Sequence, residues 1–134
     1  MNLRKINQRI FAVLFLLISI SIYSHGDDRP GPHGGRIQMP GAFHTEVLNY
    51  QDKGFKVYLL DINFENPTSK NSSVKAKMKA SDKETSLVCI AHLDHFYCEK
   101  NSSNIKSDGD LYILAERNNA KGVEVKYQLP LKEN

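Results

Sequence analysis

Outside its first residues the chain has no surplus of positive charge. Lys and Arg number 18 against 15 Asp and Glu, but Arg4, Lys5 and Arg9 lie in an opening stretch without acids, and setting them aside leaves 15 of each. A near-neutral protein lacks the clustered cationic surface that phosphate backbones require, so nucleic acid is not expected as a partner. Nor is there an apolar run of the roughly twenty residues that a bilayer-spanning helix needs. The run Ile10 to Ile18 is nine residues long. No nucleophile with a neighbouring base, no phosphate-cradling glycine loop and no paired catalytic carboxylates stand out, and an enzyme is not expected. One domain fits the 134-residue length, and two do not.

What the chain does have begins with an export signature. Cationic Met1 to Arg9, the apolar run and then Ser19, Ser21 and Ser24 have the three-part form of a secretory signal. Residues 1–24 are expected to be a cleaved signal peptide, with Ser24 favoured over Ser21 as the cleavage point and no stable membrane span after processing. No cysteine follows directly, which excludes a lipid attached at a new N-terminal cysteine. The expected location is periplasmic or secreted, with residues 25–32 a flexible lead and 33–134 a single domain.

Export gives the two cysteines a meaning, because an oxidising compartment favours pairing Cys89 with Cys98. A two-residue turn at Leu93-Asp94 would set His92 against His95, Ala91 against Phe96 and Cys89 against Cys98 as cross-strand neighbours. A zinc site of Cys89, His92, His95 and Cys98 is the rival reading. It fits poorly, since three-residue steps on a strand scatter the side chains over both faces. On surface preference, His92 and His95 read first as exposed turn residues and second as auxiliary ligands.

The remaining sequence alternates with a period of two. Val74, Ala76, Met78 and Ala80 share one face while Lys75, Lys77 and Lys79 share the other, a solvated one. Val123 to Leu129 repeats the pattern and reaches Leu111 to Ala115 through the turn-rich Asn118 to Gly122. Phe55 to Ile62 reads as a strand covered on both sides, and further strands are expected at Gly35 to Met39, Phe43 to Asn49, Thr85 to Ile90 and Phe96 to Glu99. Seven or eight short strands without a convincing helix predict an immunoglobulin-like antiparallel β-sandwich. Asn63 to Ser73 is its long polar connection.

Three of the five histidines, His25, His33 and His44, fall in one Gly/Pro-rich stretch with carboxylates between them. Imidazole nitrogen and carboxylate oxygen suit zinc and divalent copper, and the thioether of Met39 suits monovalent copper or silver. A turn at Pro40-Gly41 would oppose Ile37 to His44, Gly35 to Glu46 and His33 to Leu48, placing His33, His44 and Glu46 on one face. Gly34 and Gly35 would leave room for an ion or another backbone to approach Glu46. Taken singly, each of these residues fits a structural role as well: a turn glycine pair, a half-buried strand histidine, a solvent-facing acid.

Pro32-His33-Gly34-Gly35-Arg36-Ile37, then Gly41 to Leu48 with its Phe43-His44-Thr45-Glu46, then Lys56-Val57-Tyr58-Leu59-Leu60-Asp61, resembles the small periplasmic domain found alone or at the N-terminus of heavy-metal efflux adaptor proteins. The resemblance covers residues 32–62, with a fainter echo at Asp94-His95-Phe96. The long helical hairpin and membrane-proximal domains of a full adaptor are absent, and the cysteine pair is a departure. The resemblance implies a β-sandwich that handles copper, silver or zinc ions for an efflux system or another envelope protein, with His33, His44 and Glu46 as the positions carried over. His25 and Met39 are the further candidate donors. The alternative is a metal-free envelope interaction module that binds its partner through a strand edge. A copper enzyme built on the N-terminal amine and ring of His25 is a third class, against which the lack of an evident substrate cleft speaks.

Overall fold

The computed structural model describes residues 29–100 and 108–132. The expected signal segment and the lead residue His25 lie outside them. The described residues form nine antiparallel strands and no helix: β1 Arg36–Gln38, β2 His44–Tyr50, β3 Gly54–Leu60, β4 Ser73–Ala80, β5 Lys83–Ala91, β6 Phe96–Glu99, β7 Gly109–Arg117, β8 Ala120–Lys121 and β9 Val125–Leu129. The all-β expectation holds.

Neighbouring strands run in the order β1-β2-β3-β6-β5-β4-β7-β8, with β9 pairing β7. Strand β5 joins the two halves of this curled sheet. Its first part, through Leu87, pairs with β4, and its last part, Val88 to Ala91, pairs with β6. The alternation of the sequence decides which side chains go inside. Val74, Ala76 and Met78 of β4 are buried while Lys75 and Lys79 are exposed. Thus Val47, Phe55, Val57, Leu59, Met78, Phe96, Leu111, Ile113 and Tyr127 meet in one core, into which Cys98 also points.

Cys89 and Cys98 face each other directly, as the two-residue turn predicts, and are joined by a disulfide. The turn itself also follows the predicted register, since the His92 N–H donates to the His95 carbonyl at 2.8 Å. Both sulfurs being in the S–S bond, the four-ligand zinc reading is excluded. Closing a loop of nine sequence steps stabilises the hairpin by about 2–3 kcal/mol.

The predicted β1–β2 register is corrected. Ile37 lies opposite Glu46, not His44, and Arg36 lies opposite Val47. The connection is longer than a tight Pro-Gly turn because Met39 to Phe43 all lie outside the strands, with the buried Phe43 drawn into the core. A shift of two residues preserves parity, so His44 and Glu46 still share the face directed away from the core.

That outer face is partly buried in its own right. Ile37, Tyr58 and Leu60 are covered yet stand apart from the main core cluster. They lie beneath two loops, Arg29 to Gly35 and Asp61 to Asn66.

Ile113 is fully buried at the centre of β7. Ile113→Ala is expected to lower stability by about 3 kcal/mol through lost burial and an unfilled cavity. Urea denaturation followed by tyrosine fluorescence checks this, and a cost below about 1 kcal/mol would mean that the two halves of the sheet do not share one core.

Candidate metal centre

The outer face is organised as a cross-strand row. Ile37 pairs with Glu46, and Glu46 pairs with Tyr58. One step beyond the Val57–Phe96 pair sets Tyr58 opposite His95, and the turn sets His95 opposite His92. Three strands and a hairpin tip thereby place a carboxylate, a phenol and two imidazoles side by side.

A third imidazole enters from above. Gly31-Pro32-His33-Gly34 is a tight turn closed by the Gly34 N–H to the Gly31 carbonyl at 2.9 Å, and the Gly31 N–H reaches the Gly35 carbonyl at 2.8 Å. Gly34 has φ +85°, a left-handed conformation that glycine adopts without strain. The turn wraps the carboxylate of Glu46, which is 0% exposed. Oε1 accepts from the backbone N–H of His33 at 2.8 Å and of Gly35 at 2.9 Å, and Oε2 accepts from His33 Nδ1 at 2.7 Å. Two glycines make the approach possible. A Cβ on Gly31 would lie 2.3 Å from the Glu46 carboxylate, and one on Gly35 would lie 2.7 Å from the Val47 carbonyl.

The His33 ring, its side chain 31% exposed, lies flat on Tyr58 with centroids 3.8 Å apart. Tyr58 contacts His95 at 5.2 Å, and His95 stacks on His92 at 4.8 Å with the rings nearly parallel at 5°. Burial first, then the charges of Asp94 and Glu46, raise the Tyr58 pKa above its ordinary value, so the phenol stays protonated in this row. The Asp94 pKa is lowered, chiefly by the hydrogen bond that His95 Nδ1 makes to Oδ1 at 2.7 Å.

His33 and His95 are therefore held alike. An ionised carboxylate only accepts, so each Nδ1 donates, and in the neutral ring the lone pair is left on Nε2. This is the arrangement by which metal proteins orient a ligating histidine.

His44 belongs to a different environment. Its Nδ1 donates to the Asp61 carbonyl at 3.0 Å and its ring stacks on Phe64 at 4.0 Å. The loop that holds it is built on Asp61, whose carboxylate accepts from the backbone N–H groups of Asn63 and Glu65 and from Asn66 Nδ2, and whose backbone Arg117 ties back through the Asn66 carbonyl at 2.7 Å. Hydrogen bonds from Glu65 and Asn66 lower the Asp61 pKa below its ordinary value.

Of the predicted donors, the structure joins His33 to Glu46 and separates both from His44. Met39 stands 49% exposed beyond the other end of β1, and His25 lies outside the described residues. No group of three or more His, Cys, Asp or Glu among the described residues is disposed to hold a metal ion. Glu46 is engaged as the acceptor beneath His33, which leaves His33 as the candidate ligand of that pair. What sequence reasoning missed is Gly31, and the place of His92 and His95 beside Tyr58. The expected room for another backbone over Glu46 is filled by the chain's own turn. The chain matches no family model, no curated protein and no solved structure.

Glu46→Gln is expected to cost about 3 kcal/mol, since the buried anion's three donors would lose their charge-assisted acceptor. Gly31→Ala should destabilise comparably by forcing the turn off the carboxylate. Thermal melts of the two variants check both, and wild-type melting of either would remove the clasp from the account. The lowered Asp61 pKa gives a second expectation. Its contribution to stability is present above the unfolded-state value of about 3.9 and is lost as pH falls through the lower folded-state value. A carboxyl-carbon NMR titration should find the Asp61 midpoint below that of a free aspartate, and Asn66→Ala should move it upward.

Proposed function

We propose that this is an exported metal-handling domain of heavy-metal homeostasis or efflux, capturing copper, zinc or a related ion through His33 and neighbouring imidazoles. The observation that carries the reading is the buried Glu46 carboxylate orienting His33, with Nδ1 bound and the side chain left 31% exposed. Burying a carboxylate costs free energy that a solvent-facing acid would not incur. A metal-handling role accounts for its position under a histidine.

The disulfide is compatible with an oxidising, exported location, and no helix among the described residues is long and apolar enough to cross a membrane. The His-Gly-Gly turn and His-Thr-Glu strand keep the likeness to the periplasmic adaptor domain as support for the same reading. A site with few protein ligands suits an ion that must be passed on, because a closed four-ligand cage releases its metal slowly.

The second reading is a metal-free envelope interaction module. It is favoured by Val88 and Ile90, half exposed on the outer face of β5, and by Leu93, 94% exposed at the hairpin tip.

His33→Asn separates the two. The amide can still donate to Glu46 in place of Nδ1, while Nε2 is removed. Calorimetric titration of the processed, oxidised protein with zinc or copper(II) chloride is expected to show binding that weakens at least tenfold in His33→Asn. Unaltered affinity would count against His33 as a ligand, and partner capture that persists in chelator would favour the interaction module.

A further inference from the structure

We propose that His92 and His95, at the tip of the β5–β6 hairpin, form a two-imidazole site for a divalent ion of borderline softness, copper(II) most tightly and zinc(II) less so. This rests on the reading that the outer face handles metal and names where on that face the ion is held and which class of ion it is.

The tip holds the two rings in a fixed relation. The cross-strand register opposes them, they stack 4.8 Å apart at 5°, and the His92 N–H bonds the His95 carbonyl. Below them the Cys89–Cys98 disulfide closes the hairpin. From a separate loop, Ser69 Oγ donates to the His92 and Leu93 carbonyls. The backbone carrying both imidazoles is thus restrained from two sides before any ion arrives, which lowers the ordering cost of binding.

Donor chemistry selects the ion. Asp94 holds His95 Nδ1, so Nε2 is the donor atom that ring offers, and the carboxylate adds negative charge beside it. Imidazole nitrogen suits copper(II), nickel(II) and zinc(II), with affinity rising toward copper(II). Soft monovalent copper or silver would want thiolate or thioether. Both sulfurs of the hairpin are in the disulfide, and Met39 is beyond the far end of β1. The His95 side chain is 16% exposed and His92 is exposed, so the tip is open to ions from solvent. A tetrahedral ion with bonds of about 2.0 Å needs its two nitrogens about 3.3 Å apart, so binding requires the exposed His92 ring to turn out of its parallel stack until the two lone pairs converge. Water fills the remaining positions and keeps the ion exchangeable. His33 packs on the same Tyr58 ring as His95 but is not a third ligand of this two-imidazole site.

The test titrates copper(II) chloride and zinc chloride into the processed, oxidised protein and into His92→Asn, His95→Asn, the double variant and His33→Asn. His95→Asn preserves a donor toward Asp94, and near-UV circular dichroism verifies the fold of each variant. One copper(II) per chain is expected, bound more tightly than zinc. Each single tip variant should weaken copper(II) at least tenfold, and the double variant should lose the imidazole-nitrogen hyperfine pattern of the electron paramagnetic resonance spectrum. On the unmodified protein, sub-stoichiometric copper(II) should broaden the His92 and His95 ring-proton resonances first. Wild-type affinity and spectrum in the double variant would overturn the proposal. If His33→Asn alone then weakens binding, the metal-handling reading survives without the tip site; if no variant matters, both fall.

Discussion

The outer face of this protein depends on one buried carboxylate. Glu46 is inaccessible to solvent in the middle of β2, with the core-facing Val47 on one side of it in sequence and Thr45 on the other, the latter bonded to Tyr127 of β9. A lone anion there would be costly to bury. Two backbone N–H groups and a ring nitrogen of the Gly31 to Gly35 turn offset that cost. The dependence runs both ways. The turn has no side chain in the main core cluster, and its attachment to the sheet comes from the carboxylate, the packing of His33 on Tyr58 and the Pro30–Arg36 bridge. A glutamate in the sheet thus decides where a loop histidine sits.

The rest of the row follows from strand register. Once Glu46 pairs with Tyr58, and Val57 with Phe96, the hairpin tip must come alongside Tyr58, because a one-residue slip would turn Phe96 and Cys98 out of the core. The disulfide lies on the inner side of the same hairpin and the histidines lie beyond it at the tip. Packing energy inside the sandwich therefore fixes the spacing of polar groups outside it. Asp94 reinforces this by holding the His95 ring from the adjacent position.

Much of this was legible in the chain. Strict alternation in Val74 to Ala80 located β4 and its buried face, and the nine-residue separation of Cys89 from Cys98 about Leu93-Asp94 gave both the bridge and the opposition of His92 to His95. The pairing of His33 with Glu46 was also within reach, because same-face parity survives a register error of two. The error itself arose because Phe43 is drawn into the core and lengthens the β1–β2 connection, a tertiary demand that turn chemistry at Pro40-Gly41 does not encode. His44 illustrates a second limit. Its face was correct, but the ring's partners, the Asp61 carbonyl and Phe64, come from a loop whose position depends on Arg117 of β7, 73 positions along the chain from His44. Nothing local to residues 32–48 announces that contact. The role of Gly31 was hidden for a similar reason, since its lack of a Cβ matters only once the Glu46 carboxylate is beneath it.

Three histidines, His33, His44 and His95, each give Nδ1 to an oxygen, yet the consequences differ with what surrounds the ring. His44 is 6% exposed and stacked on Phe64, so its ring is taken up by a structural contact. His33 and His95 keep side chains 31% and 16% exposed, and each is in ring contact with Tyr58. An imidazole whose orientation is fixed by a carboxylate while its ring stays partly exposed has the direction of its second nitrogen set in advance. For His33 the acceptor is the fully buried Glu46 and for His95 it is the half-exposed Asp94, so carboxylates of very different exposure orient the two rings through the same nitrogen.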